Sequence, residues 1–156
     1  MKVENLMTRE PATCSSADSL TVATMKMWTD DCGILPVVDD GKLVGVVTDR
    51  DIAMALGMQG VPASRATVGD VINGKIFSCS PTDEVAAALE LMAHKQVRRL
   101  PVVKKGRLLG LISLNDIVLE ARATAGKEKK PTYGMVVKAM QGICEHRQMP
   151  MVAAAG

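Results

Sequence analysis

One stretch of seventeen residues occurs twice in this chain. Leu35-Pro36-Val37-Val38-Asp39-Asp40-Gly41-Lys42-Leu43-Val44-Gly45-Val46-Val47-Thr48-Asp49-Arg50-Asp51 returns, 65 positions later and without a gap, as residues 100–116. Leu35, Pro36, Val37, Val38, Gly41, Leu43, Gly45 and Asp51 have identical mates, and Thr48 returns as Ser113. A tandem repeat restricts the fold more than any composition can. Two like units each leave faces uncovered that a like partner can bury.

The repeat reaches beyond this stretch. Leu6-Met7-Thr8 has its mate in Val71-Ile72-Asn73, and Pro11-Ala12-Thr13-Cys14 has its mate in Ile76-Phe77-Ser78-Cys79. Each of these extended pieces leads into a helix. Leu20, Ala23, Thr24 and Met27 form an amphipathic stripe in one half, and Val85, Ala88, Leu89 and Met92 form it in the other. Ser16-Ala17-Asp18-Ser19 and Pro81-Thr82-Asp83-Glu84 supply the capping chemistry before them. Gly33 is the expected stop of the first helix.

Residues 34–38 and 43–48 are almost continuously aliphatic and predict two strands covered on both faces. Asp40-Gly41 and Lys105-Gly106 sit where the hairpin turns. A helix through Ile52, Ala53 and Leu56 is expected to end near Gly57, and its counterpart near Gly126. The expected organisation is a first repeat at 1–57, a linker at 58–67, a second repeat at 68–122, and a tail at 123–156. The tail comprises a charged hinge, Lys127-Glu128-Lys129-Lys130-Pro131, and one helix over 132–146. Its expected apolar face is Met135, Val136, Ala139, Met140 and Ile143; the end around Met149-Pro150-Met151 is expected to fray. The fold class is α/β in the α+β sense: two β-α-β-β-α units related by a pseudo-twofold, plus a C-terminal amphipathic helix.

Trp28, Phe77 and Tyr133 are the only aromatic residues, so the core must be aliphatic. A formal charge of +2 argues neither for nor against nucleic acid, and the basic positions lack the interleaved aromatics of a single-strand platform. No apolar run approaches the roughly 20 residues of a membrane span, and the first residues lack a signal peptide's apolar stretch. A cytoplasmic protein is expected. Cys14, Cys32, Cys79 and Cys144 form no C-x-x-C pair, and His94 and His146 stand at no ligand spacing from them, so no metal is expected. No nucleophile elbow, phosphate loop or metalloprotease helix is present, and no catalytic residue is expected.

Thr48-x-x-Asp51 and Ser113-x-x-Asp116 each open a helix directly after a strand. The plainer interpretation is a capping box, which needs no ligand. The functional one is a nucleotide cleft. A helix start offers N–H groups and a hydroxyl to phosphate, and the Asp offers two oxygens to ribose hydroxyls. On this view Gly45 and Gly110 leave room for a flat ring.

The repeated Leu-Pro-Val-Val, the Gly-[Lys/Arg]-Leu-[Val/Leu]-Gly hairpin and the two [Ser/Thr]-x-x-Asp helix starts together resemble a tandem cystathionine-β-synthase (CBS) domain pair, or Bateman module, over roughly residues 1–122. The resemblance implies two units meeting across their sheets and a homodimer of such pairs. It also implies a regulatory role sensing AMP, ATP, NAD or S-adenosylmethionine on behalf of an effector protein. Carried over residue by residue, it implies a first cleft of Thr48, Asp51 and Val46 with Ile76, Phe77 and Ser78 of the other half, and with Arg98 and Arg99 for phosphate. Arg50 stands beside that motif. The second cleft is implied to hold Ser113, Asp116 and Leu111 with Ala12 and Thr13. There the mates of Arg98 and Arg99 are the uncharged Gly33 and Ile34. The Asp51 cleft is therefore the expected phosphate site. A ligand-free dimerisation or docking module is the alternative.

Overall fold

The structure, a computed structural model, describes residues 1–60, 62–72, 75–127 and 129–146. Asn73, Glu128 and the 149–151 segment named above lie outside them.

Helix α1 (Leu20–Thr29) starts at an extended Ser19 whose Oγ accepts from the Val22 N–H at 3.3 Å. It buries Leu20, Ala23 and Met27, while Thr24 is exposed and turns its hydroxyl back to the Leu20 carbonyl at 2.8 Å. The helix ends before Gly33. Asp30 is the C-cap and Asp31 takes the left-handed conformation at φ 48°, which a short polar side chain tolerates. Strands β2 (Ile34–Asp39) and β3 (Lys42–Thr48) follow, joined through Asp40 and Gly41, both at positive φ. That is the type I′ geometry matching strand twist. A bulge at Val37/Val38 shifts the register. Helix α2 (Asp49–Gln59) outruns Gly57 and stops at Gly60, φ 64°.

The second unit repeats this order. Helix α4 (Val85–Lys95) buries Val85, Ala88, Leu89 and Met92 as the stripe predicts. Strands β4 (Arg99–Lys104) and β5 (Arg107–Ser113) turn through Lys105 and Gly106, with a bulge at Val102/Val103. Helix α5 (Leu114–Glu120) ends well short of Gly126. Ala121 turns extended and buries itself, and Arg122 then bridges to Thr132.

The lead-ins cross between units. Strand β1 (Thr8–Arg9) pairs antiparallel with β5 of the second repeat, and Val3 and Met7 enter the second core. In return Ala66 and Val68 enter the first core, with the short helix α3 (Val68–Val71). The Leu20 N–H donates to the Ala66 carbonyl at 2.9 Å. Residues 58–67 are thus no free linker: α2 takes their start and the first core takes their end. The crossing explains the repeated glycines. A Cβ on Gly45 would stand 2.9 Å from Ile72 Cδ1, and one on Gly110 would stand 2.6 Å from the Thr8 carbonyl oxygen. The space foreseen for a ligand ring is filled by chain.

Both cores are aliphatic, around Leu20, Leu35 and Val47 in one unit and Met92, Leu100 and Ile112 in the other. Burial of this kind contributes about 25 cal/mol per Å² of apolar surface. The hairpins touch where the Leu43 N–H donates to the Gly106 carbonyl at 3.1 Å. Helix α6 (Tyr133–Cys144), capped by Thr132, lies on α4 and buries Val136 and Ala139 there. Met140, expected on that face, is 44 % exposed.

Candidate functional site

Each hairpin ends in a hydroxyl–carboxylate helix start. Thr48 is extended, and its Oγ1 accepts from the Asp51 N–H at 3.2 Å. Asp51 Oδ2 in turn accepts from the Thr48 N–H at 2.9 Å and from its hydroxyl at 2.7 Å. Ser113 and Asp116 repeat the arrangement at 3.2, 2.9 and 2.7 Å. Both are complete capping boxes.

A third box, not singled out in the sequence, stands at Thr67 and Asp70, where Oδ2 accepts at 2.8 and 2.7 Å. These bonds hold the Asp70 carboxyl below its usual range. Its signal was the same [Ser/Thr]-x-x-Asp spacing, in a segment without the hairpin. The box by itself therefore marks a helix start, and its surroundings must distinguish a site. In each box one carboxylate oxygen is engaged. Oδ1 of Asp51 and of Asp116 accepts from no other group among the described residues.

The surroundings of the two hairpin motifs differ in charge. Across the ladder Ile34 lies opposite Thr48, and Arg99 lies opposite Ser113. The Leu114 N–H donates to the Arg98 carbonyl at 2.8 Å, as the Asp49 N–H does to Gly33 at 3.3 Å. Arg98 and Arg99 thus sit in the hairpin that carries Ser113 and Asp116. The bulge at Val102/Val103 displaces the pairing by one and seats Arg99 against Ser113, as the bulge at Val37/Val38 seats Ile34 against Thr48. Neither arginine has an ion pair among the described residues. The first motif has Asp49 instead, its carboxylate packed over Gly33, with Arg50 exposed beside it.

Val46 and Leu111, both half-buried, lie opposite Pro36 and Pro101 in their ladders, and Leu111 also pairs with Thr8. Ala12 and Thr13 are half-buried, and the Thr13 carbonyl accepts from Lys26 Nζ at 3.0 Å. Lys26 also bridges Asp18 at 3.0 Å. Ile76 and Phe77 are half-buried and Ser78 is exposed. Lys95 Nζ stands 5.3 Å above the Phe77 ring, within cation–π range.

The buried Cys14 and Cys79 thiols are each pushed up to about 11 by desolvation. Among the described residues no group of three or more His, Cys, Asp or Glu is placed to hold a metal. No helix there is long and apolar enough to cross a membrane.

Two interlocked units, each closing its hairpin with a hydroxyl–carboxylate helix start, define a tandem domain pair. The chain belongs to the CBS domain family, which it matches over residues 3–57 and 68–122. It is 35 % identical over 117 residues to the CBS domain-containing protein YhcV of Bacillus subtilis, covering 75 % of this chain and 83 % of that one. It is also 35 % identical to Hypoxic response protein 1 of Mycobacterium tuberculosis over 101 residues, covering 64 % of this chain and 71 % of the other. A crystal structure of Hypoxic Response Protein I with two coordinated zinc ions superposes with a TM-score of 0.71 at 30 % identity, over 76 % of this chain and 98 % of that one. The CBS domain pair of protein MJ0100, in complex with 5-methylthioadenosine and S-adenosyl-L-methionine, superposes with a TM-score of 0.70 at 26 % identity, over 76 % and 94 %.

Proposed function

We propose that this chain is a non-catalytic regulatory module. It binds adenosyl ligands at its two hairpin ends and signals to an effector protein through a change in how the units pack. The observation that carries this reading is the Ser113–Asp116 box with Arg98 and Arg99 on the same hairpin end. One free carboxylate oxygen suits a ribose hydroxyl, and two unpaired guanidinium groups suit phosphate. The adenosyl ligands of the MJ0100 pair support the class of ligand.

The two ends then differ in preference. The Ser113 end takes a phosphate-bearing ligand such as AMP, ATP or NAD. At the Thr48 end the residue across the ladder is the uncharged Ile34, and the Asp49 carboxylate offsets Arg50 beside it, so a less charged ligand such as S-adenosylmethionine fits better. Signalling requires that the ligand bind one packing of the units more tightly than another. The buried, raised Cys14 and Cys79 thiols are poor nucleophiles.

Calorimetric titration of the full chain with AMP, ATP, NAD and S-adenosylmethionine tests this. A phosphate-bearing ligand should bind, and Arg98→Ala with Arg99→Ala should weaken it at least tenfold, as should Asp116→Asn. Asp51→Asn should leave it unchanged. Absence of binding by every ligand would reduce both motifs to helix caps, as Thr67–Asp70 exemplifies, and leave a docking module.

A further inference from the structure

Helix α6 has no mate in the repeat and lies beyond the matched residues 3–57 and 68–122. Its two ends are held differently. At the start, backbone ties it to the end of α5. The Arg122 N–H donates to the Pro131 carbonyl at 3.0 Å, and the Tyr133 N–H donates to the Arg122 carbonyl at 3.1 Å. Lys130 Nζ adds an ion pair to Glu120 at 3.1 Å. At the far end a side chain reaches over from α4. Gln96 Nε2 donates to the Glu145 carbonyl at 2.7 Å and to the Gly142 carbonyl at 3.4 Å. These carbonyls close the helix, where no further turn supplies a donor. Beside them Gly142 packs so tightly that a Cβ on it would stand 2.9 Å from Ala93 Cβ.

Gln96 is the C-cap of α4 and holds the left-handed conformation at φ 53°. Its mate in the first unit, Asp31, holds φ 48° with a short, exposed side chain. The longer side chain stands in the unit that carries the extra helix. The same unit carries the arginines: Arg98 and Arg99 follow Gln96 directly after Val97, where the first unit has Gly33 and Ile34. Lys95, one residue before, stands 5.3 Å above the Phe77 ring. The Arg98 carbonyl accepts from the Leu114 N–H at 2.8 Å, at the first residue of α5. Within five residues the α4–β4 corner therefore touches α6, Phe77 and the Ser113–Asp116 helix start.

We infer that Gln96 couples the phosphate-binding end of the second unit to α6. With α6 seated, Gln96 fixes the corner and holds Arg98 and Arg99 ready for a phosphate. A bound phosphate in turn seats α6 more firmly, since coupling between two sites is reciprocal. This rests on the proposed binding of a phosphate-bearing adenosyl ligand at the Ser113 end. Gln96 is a positioning residue: it acts on the ligand through the corner. The first unit has neither the arginines nor the helix, so the coupling belongs to one end of the molecule.

Hydrogen exchange of the α6 amides in the full chain, with and without AMP and alongside calorimetry, tests this. AMP should slow exchange over the second half of α6 by about fivefold, within the usual range of such couplings. Arg98→Ala with Arg99→Ala should lose both the binding and the slowing. Gln96→Asn separates coupling from structure, because asparagine accepts the left-handed turn and is too short to reach α6. It should keep the wild-type Tm and bind AMP about fivefold more weakly, and AMP should no longer slow α6. Gln96→Lys keeps a long donor, and Lys105 and Lys129 already hold φ 52° and 50° in this chain. It should restore the slowing. An AMP that binds the wild type and leaves α6 exchange unchanged overturns the coupling while sparing the binding site. So does a Gln96→Asn variant that loses Tm yet answers AMP as the wild type does, which means a structural cap alone. If calorimetry finds no AMP bound to the wild type, the phosphate site itself falls and the coupling with it.

Discussion

Gly110 faces Thr8 so closely that a β-carbon on it would stand 2.6 Å from the Thr8 carbonyl oxygen. The contact is to backbone, and Thr8 is held in register by pairing with Leu111. At Gly45 the equivalent neighbour is the side-chain end of Ile72, at 2.9 Å, which can turn aside. Gly110→Ala should therefore destabilise the fold by about 2–3 kcal/mol and Gly45→Ala by about 1 kcal/mol, within the range for overpacking. Urea unfolding of both variants measures the difference; equal losses would mean that β1 yields as easily as a side chain.

The three capping boxes provide an internal control for ligand binding. Thr67→Ala and Ser113→Ala each remove a hydroxyl that accepts from or donates within a helix start, and each should cost about 1 kcal/mol. Only Ser113→Ala should also weaken nucleotide binding, because Arg99 lies opposite Ser113 whereas Thr67 pairs with Ser19. Thermal unfolding with and without AMP separates the two effects: Thr67→Ala should keep the full ligand-induced rise in Tm.

The four cysteines should differ sharply in reactivity. Cys14 and Cys79 are buried, with thiols raised to about 11. At pH 8 their thiolate fraction is small and access is closed. Cys144 is exposed and Cys32 partly so. Alkylation followed by mass spectrometry should label Cys144 first, Cys32 next, and Cys14 and Cys79 only on unfolding.

The first lead-in is pinned to the start of α4 by charge. Glu84 accepts from Lys2 Nζ at 2.8 Å and from the terminal amine at 3.0 Å, and these bonds lower its carboxyl from 4.5 to about 2. A carboxyl depressed on folding contributes stability that is full above its unfolded value and is lost as pH falls through its folded one. The clamp should therefore hold at neutral pH and loosen between about pH 4.5 and 2. The protection of the Val85 amide against hydrogen exchange, relative to its intrinsic rate, should fall in that window, since this amide donates to the Met1 carbonyl at 3.0 Å, and Glu84→Gln should abolish that fall.

What was local in this protein was legible from its residues. The gapless repeat dictated two like units. Asp40-Gly41 and Lys105-Gly106 dictated the hairpin turns, because few residue pairs accept positive φ twice in succession. Threonine or serine three residues before aspartate dictated the helix starts. What depended on distant chain was decided only by the tertiary structure. A bulge at Val102/Val103 set Arg99 opposite Ser113 rather than Ile112, as its counterpart at Val37/Val38 set Ile34 opposite Thr48. A two-residue turn alone does not encode that slip. The lead-ins crossed because β5 had an unpaired edge and β1 met it, a choice made by strand edges far apart in sequence. Helix ends followed the same rule: α1 stopped at Thr29, ahead of Gly33, and α5 at Glu120 rather than near Gly126, because the following residues were drawn into turns and cores. The apolar face of α6 was legible along the chain, but only the position of α4 determined that Val136 and Ala139 were buried and Met140 was not.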